Sequence, residues 1–207
     1  MHQCRKIWLM FPPTGHNLQL LEAELGQSTR LARIGGDLEG GIVAETDSTQ
    51  AVFIPSGCLH ACFTTAGGFL VSIDCTTRAS ARPFSRYLQR HFHSELDVEG
   101  QRDVFYKFLN TLEVAIDNGM SDVAVEAWIH AESVLRHRSQ QDSVWKAHAG
   151  KILRRVPTSI ELCPCGSSYS SPWYDHWIDH HLAFLSDIAV SATSKPSSRI
   201  RRSAVKS

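Results

Sequence analysis

The densest group of potential metal ligands in this sequence is a cysteine- and histidine-rich segment toward its C-terminal end. Two thiols, Cys163 and Cys165, are followed by the imidazoles of His176, His180 and His181. A helix over 173–185 is predicted here, and on it His176 and His180 are four residues apart and share a face. Two thiolates and two imidazoles form a tetrahedral ligand set for zinc. Cys163, Cys165, His176 and His180 therefore predict a structural zinc site; the alternative is a loop with buried cysteines followed by a helix with surface histidines.

A second candidate ligand is His60, which follows the turn Pro55-Ser56-Gly57. A turn of this composition ends one strand and begins the next, so it holds the imidazole near the start of a strand. Neutral imidazole is the commonest protein ligand for iron, zinc, copper and nickel. A single histidine after a turn is more often purely structural, and the turn alone does not decide between the two. Cys58 and Cys62 flank His60 and offer a thiol-rich alternative that favours zinc or copper.

Two motifs in the first third of the chain resemble a known family. The segment Pro55-x-Gly57-x-x-His60 resembles the second conserved cupin motif, and Lys6-Ile-Trp-Leu-Met-Phe-Pro12-Pro13 resembles the K-x-W-x-L-x-P-P strand of Jumonji C (JmjC) domains. The two motifs occur in the order and spacing of that family, and the resemblance covers residues 5–77. It implies a double-stranded β-helix that binds Fe(II) and 2-oxoglutarate. Members of the family oxidise a C–H bond of a protein or small molecule, which makes them hydroxylases or demethylases.

The resemblance gives roles to two residues. His60 matches one histidine of the iron-binding triad, which contains two histidines and one carboxylate. Lys6 matches the lysine that pairs with the distal carboxylate of 2-oxoglutarate; otherwise it is an ordinary lysine at a strand edge. The other two iron ligands of the family come from a His-x-Asp/Glu motif upstream of this lysine, and the sequence begins five residues before Lys6. We therefore expect an N-terminally shortened domain, a pseudoenzyme or fragment with little or no oxygenase activity.

The elements that must position these residues divide the chain into a β part and an α part. Apolar and β-branched runs bounded by glycine and proline predict strands in residues 1–80. Apolar residues at helical spacing predict helices in residues 83–157, followed by the Cys/His-rich segment at 158–190 and a disordered basic tail at 191–207. The predicted class is α+β, with a partial cupin (jelly-roll) β domain followed by a helical region. The predicted strands are Lys6–Phe11, Thr49–Ile54, Leu59–Thr65 and Phe69–Cys75, and the predicted helices include Phe84–Leu96, Val104–Ile116 and Ser143–Val156.

Composition excludes some functional classes. The 207 residues carry 21 basic and 21 acidic side chains, so the whole chain is not built as a polyanion binder. No apolar run is long enough to predict a transmembrane helix. The six cysteines indicate reduced thiols or metal ligands, as in a nuclear or cytoplasmic protein. The tail segment Arg199–Arg202 is a candidate nuclear-import or nucleic-acid contact, or else a solvated terminus.

Three functional hypotheses remain from the sequence. The first is an Fe(II)/2-oxoglutarate dioxygenase of unknown protein or small-molecule substrate, if the upstream metal motif exists. The second is a non-catalytic module that binds a protein or chromatin partner and contains a structural zinc. The third is a small zinc-stabilised protein whose β part is only a scaffold. An incomplete barrel also predicts an open sheet edge, through which two copies can pair.

Overall fold

A computed structural model of the chain describes residues 4–26, 28–68, 70–156, 163–168 and 172–186. Within these ranges the chain is mixed α+β: a three-stranded antiparallel sheet lies in the first third, and helices follow after residue 80. The predicted α+β class is therefore confirmed, whereas the cupin-type jelly roll stays a prediction. The basic tail, 191–207, and parts of the Cys/His-rich segment lie outside the described residues. Of the described helices, none combines the length and apolar character that crossing a membrane requires.

The sheet has the strand order β2-β1-β3, with both pairs antiparallel. Its strands are β1 (Arg5–Phe11), β2 (Ile42–Thr46) and β3 (Leu59–Ala66). Pro12 and Pro13 end β1 because proline cannot donate a ladder hydrogen bond. Two helices, α1 (Gly15–Ala23) and α2 (Arg30–Ile34), connect β1 to β2. The sequence predicts β1 and β3 within two residues of their bounds, whereas β2 and α2 were not predicted.

Two predicted strands are absent from the sheet. Residues 50–55, within predicted Thr49–Ile54, and residues 70–77, over predicted Phe69–Cys75, form no strand; Phe69 itself lies outside the described residues. A β run needs a partner backbone, and within the described residues neither segment pairs with the outer edge of β2 or β3. Large apolar side chains of these segments consequently remain in solvent: Phe53 is 69% exposed and Ile73 is 84% exposed.

Four helices form the second part of the chain: α3 (Ala81–Gln89), α4 (Val98–Asp117), α5 (Ser121–Gln141) and α6 (Ser143–Leu153). The prediction of one helix over Phe84–Leu96 is wrong at its second half. There α3 stops, His91 adopts a left-handed backbone conformation (φ 57°), and a 3₁₀ turn covers Phe92–Glu95. Asp97 then caps α4 by accepting a hydrogen bond from the Gly100 N–H at 2.7 Å.

The main hydrophobic core lies among α3–α6 and the C-terminal segment. Trp128 stacks between the rings of Trp145 and Phe184, with centroid distances of 6.3 and 5.8 Å. The stripe predicted on α4 is confirmed as core, since its four residues are all buried: Phe105, Phe108, Leu109 and Leu112. A separate small cluster, built around Leu18, Leu59 and Phe92, joins the sheet to the helices.

Candidate metal centre

Four side chains from the C-terminal segment converge on one point. The ligand atoms of Cys163, Cys165, His176 and His181 all lie within 4.8 Å of one another. Three of these side chains are buried and Cys165 is half-buried. Among the described residues, no other group brings three or more histidine, cysteine or carboxylate ligand atoms together in this way. The cluster can therefore bind a metal ion, and it overlaps the predicted set at three of four positions.

The spacing of the ligand atoms fits a tetrahedral ion. Cys163 Sγ lies 3.4 Å from His181 Nε2, and Cys165 Sγ lies 3.4 Å from His176 Nε2. A tetrahedral zinc ion with ordinary Zn–S and Zn–N bond lengths separates a sulfur from a nitrogen by about 3.6 Å. The two observed distances differ from this value by about 0.2 Å. The side chains thus have nearly the spacing that a bound tetrahedral ion requires.

The fourth ligand is His181 instead of the predicted His180. After α7 (Trp173–His176) the chain enters a π-helical turn over Trp177–His181, in which the Leu182 N–H donates to the Trp177 carbonyl oxygen at 3.1 Å. A π turn contains one residue more than an α turn, so the partner of His176 lies five residues on. His180 is exposed, and its ligand atoms are not part of the cluster. The sequence argument assumed a regular α-helix and missed this extra residue.

A tight turn brings the two thiols together. The Gly166 N–H donates to the Cys163 carbonyl oxygen at 3.5 Å, and Gly166 has a φ of +73°, which favours glycine. The following Ser167 N–H donates to Cys165 Sγ at 3.5 Å. This turn allows Cys-x-Cys to point both sulfurs at one centre, although only one residue separates them.

Glu132 of α5 supports the cluster from outside. Its Oε2 lies 2.6 Å from His181 Nδ1, and its other oxygen accepts hydrogen bonds from Arg136. Arg136 also donates to the His180 carbonyl oxygen at 2.9 Å, and the Trp128 indole donates to the His181 carbonyl oxygen at 3.1 Å. A carboxylate on Nδ1 leaves Nε2 of the same ring as the ligand nitrogen, an arrangement typical of metal-bound histidine. The sequence analysis missed Glu132 because it lies far from the cluster along the chain.

Proton affinities in the cluster are shifted by burial and by these hydrogen bonds. Burial raises the pKa of the Cys163 thiol. Burial also opposes ionisation of Cys165, but the hydrogen bond from the Ser167 N–H and the nearby His181 ring outweigh it and lower the pKa of that thiol. Burial acts to lower the pKa of His181, yet the hydrogen bond to Glu132 raises it overall. One of the two thiols is therefore readily converted to the thiolate that metals bind.

The other predicted site residues, Lys6 and His60, lie on the sheet. Both line a broad cavity of about 840 Å³ next to Trp8 and Thr46. The Lys6 side chain is 8% exposed, and its Nζ donates to Thr64 Oγ1 at 2.8 Å. No carboxylate among the described residues forms an ion pair with it. Lys6 is thus a buried cation at a cavity wall whose partner is a neutral hydroxyl.

His60 has no partner ligands for a metal ion among the described residues. Its ring is exposed, and Nδ1 lies 3.2 Å from the carbonyl oxygen of Cys58. The thiol-rich alternative does not form either: the Cys58 thiol donates to the Phe11 carbonyl oxygen at 3.4 Å, and Cys62 is exposed. His60 therefore stands apart from the cluster of Cys163, Cys165, His176 and His181.

Comparison with known proteins adds no family. No protein-family model matches the chain, and no solved structure matches it.

Proposed function

We propose that the Cys163/Cys165/His176/His181 cluster binds zinc as a structural site that fastens the C-terminal segment to the helical core. The observation that carries this proposal is the convergence of four nitrogen and sulfur ligand atoms within 4.8 Å of one another. Two thiolates and two imidazoles favour zinc over oxygen-seeking ions such as magnesium and calcium. Four protein ligands fill a tetrahedron and leave no position open for substrate, which is typical of a structural zinc site.

The surroundings of the cluster support the same role. The segment that holds the two histidines also contributes buried core residues, including Trp177 and Leu182. The Trp177 indole donates to the Leu153 carbonyl oxygen of α6 at 3.3 Å. A metal bound here crosslinks the cysteine turn to the histidine turn, which itself packs on α5 and α6. Binding energy at such a site contributes directly to folding.

The test is zinc content per chain, measured on protein purified without a polyhistidine tag. Wild type is compared with Cys163→Ser, His181→Ala and, as the matched control, His180→Ala. We expect one zinc per chain in wild type and in His180→Ala, and substoichiometric zinc in the other two variants. Absence of zinc from wild type, or its retention in both Cys163→Ser and His181→Ala, contradicts the proposal.

For residues 4–77 we propose a second function: a JmjC-like β domain that binds the carboxylate of 2-oxoglutarate at Lys6. The strand order supports this proposal. A jelly roll is a long antiparallel hairpin that is rolled up, which places its strands 5, 4 and 7 side by side with strand 4 in the middle. The order β2-β1-β3 has the same antiparallel arrangement, with β1 in the middle. The buried ammonium group of Lys6 is a second support, since a dianion is a better partner for it than a hydroxyl.

Iron fits these residues less well than 2-oxoglutarate does. In the part of the chain that the structure describes, no three ligand atoms that include a His60 nitrogen come together. A single imidazole does not supply the converging ligands that an iron(II) site needs. We therefore derive no oxidation step, and the proposal for this half is cosubstrate binding alone.

A thermal-shift titration with 2-oxoglutarate tests the role of Lys6. The matched control is Lys107→Met, because Lys107 lines the same cavity but is paired with Asp74 and Asp103. We expect 2-oxoglutarate to raise the Tm of wild type and of Lys107→Met, and to leave the Tm of Lys6→Met unchanged. No shift in wild type, or an equal shift in Lys6→Met, contradicts the proposal.

The exposed apolar side chains of the sheet region favour the alternative, a non-catalytic interaction module, with a second copy of the chain as its partner. Val43 is 72% exposed on the edge strand β2, and the outer edges of β2 and β3 are unpaired within the described residues. Unpaired edges with apolar side chains are templates for strand pairing, here with a second copy. Light scattering at micromolar concentration tests this pairing. Val43→Lys should convert dimers to monomers, whereas Val98→Lys should not, because Val98 is also exposed (82%) but lies on α4. A monomeric wild type contradicts the dimer.

A further inference from the structure

A second cavity, of about 450 Å³, lies between the sheet and the helices and has no role in either proposal above. Its walls come from α1, α2 and α3, from the start of β3 and from the 3₁₀ turn. Its floor is the small hydrophobic cluster of Leu18, Leu59 and Phe92. The volume lies in the range of pockets that hold small molecules, roughly 300–1,000 Å³. The cavity therefore has the size and the apolar lining of a ligand site.

One face of α3 supplies the polar wall. Pro83, Arg86 and Tyr87 line the cavity, and their spacing of three and four residues places them on one side of the helix. Burial raises the pKa of Tyr87, and its hydroxyl has no hydrogen-bond partner among the described residues. Tyr87 is thus an unused donor at the wall of a mainly apolar cavity.

The charges around the cavity leave one cation uncompensated. Arg30 pairs with Glu95 at 2.7 Å, and the other oxygen of Glu95 accepts from the Gly26 N–H at 2.5 Å, so the charges of this pair compensate each other. The neighbours of Arg86 on α3 are also paired, Arg82 with Glu126 and Arg90 with Glu22. Arg86 has no carboxylate partner among the described residues.

We infer that this cavity binds a small amphipathic carboxylate, with its apolar body on the Leu18/Leu59/Phe92 cluster and its carboxylate on Arg86. The guanidinium fork matches a carboxylate in shape and charge, and the Tyr87 hydroxyl is available as a further donor. His60 lines this cavity as well as the larger one, so a bound molecule lies beside its ring. The inference needs neither zinc nor 2-oxoglutarate.

Calorimetric titration of the full chain with octanoate and with 1-octanol tests both parts of the inference. The variants are Arg86→Met, Arg82→Met as the matched control on the same helix, and Leu21→Trp, which fills the cavity from α1. We expect wild type and Arg82→Met to bind octanoate more tightly than octanol. Arg86→Met should weaken octanoate binding about tenfold and leave octanol binding unchanged, because it removes a charge-assisted hydrogen bond. Leu21→Trp should abolish binding of both.

Three results overturn the inference. If wild type binds neither probe at millimolar concentration, the cavity is not a ligand site. If it binds the two probes equally, the site does not recognise a carboxylate. Unchanged binding in a folded Leu21→Trp variant places the bound molecule elsewhere. Circular dichroism checks the fold of that variant, and Leu31→Trp, which fills the same cavity from α2, provides a second blocked form if the first does not fold.

Discussion

Replacement of Glu132 should weaken zinc binding although Glu132 is not a ligand. In the structure its carboxylate lies 2.6 Å from His181 Nδ1 and is half-buried, so the hydrogen bond is short and partly shielded from water. The bond fixes the ring with Nε2 toward the cysteines and increases the basicity of that nitrogen. Loss of such outer partners typically costs 10- to 100-fold, roughly 1.4–2.7 kcal/mol, in metal affinity.

Two substitutions separate the charge of Glu132 from its hydrogen bond. Glu132→Gln keeps an acceptor for the Nδ1–H but loses the negative charge, and a hydrogen bond to a charged group exceeds a neutral one by about 1 kcal/mol. We expect zinc affinity to fall about tenfold in this variant. Glu132→Ala removes both contributions, and we expect a loss of about 100-fold.

The assay is competition for zinc with a chromophoric chelator at one fixed pH, with Glu126→Gln as the control. Glu126 lies on the same helix but pairs with Arg82 and does not contact the cluster. Helix content of the metal-free proteins is compared first, because Glu132 also binds Arg136. If Glu132→Ala stays within about twofold of wild type while Cys163→Ser loses zinc, the outer hydrogen bond does not support the site.

Three further predictions concern stability. Chelation of zinc should lower the Tm and increase the exposure of tryptophan, because the histidine turn is part of the main core. Calorimetry with and without chelator measures the Tm, and an unchanged Tm contradicts the structural role. The free energy of unfolding should fall as the pH drops below about 6.5, because of His93. Burial and, second, the neighbouring His91 lower the pKa of His93 in the folded state, so the unfolded chain binds the proton more readily. Denaturant titrations from pH 7 to 5 should show a smaller loss for His93→Phe than for wild type, and equal slopes contradict this. Leu109→Ala, in the centre of the helical core, should lower the free energy of unfolding by about 2–5 kcal/mol. Phe63→Ala, on the sheet, should lower it by less than about 1 kcal/mol. Similar losses in the two variants would refute the view that the helices contribute most of the stability.

The parts of the fold that the sequence predicted are those governed by local rules. The stripe on α4 and the strand that ends at Pro12 follow from side-chain periodicity and proline chemistry, and both are present. The runs Thr49–Ile54 and Phe69–Cys75 have the same local character, but their described residues form no strand, because pairing depends on a partner that composition does not reveal. The strand β2 was not predicted, because it has only five residues and lies between segments whose composition predicts turns.

The candidate site was predicted by residue type and missed in its details. Cysteine and histidine content identified Cys163, Cys165 and His176, because their assignment depends only on residue type and on their closeness along the chain. The choice of His181 over His180 depends on the backbone hydrogen-bond pattern of one turn, and two carbonyl groups of that turn accept hydrogen bonds from distant residues of α5. Glu132 is brought to the site by the packing of distant segments, 49 residues apart, which no local pattern reports.

The π turn at Trp177–His181 also determines how relatives of this protein can be recognised. Because the turn inserts one residue, the ligands are spaced as Cys-x-Cys, ten residues, His, four residues, His. The more familiar spacing of three residues between the two histidines selects His180, an exposed side chain with no ligand role in the cluster. A homologue that lacks one residue in this turn should therefore carry its second histidine one position earlier, and the two sequences should be aligned with a gap there.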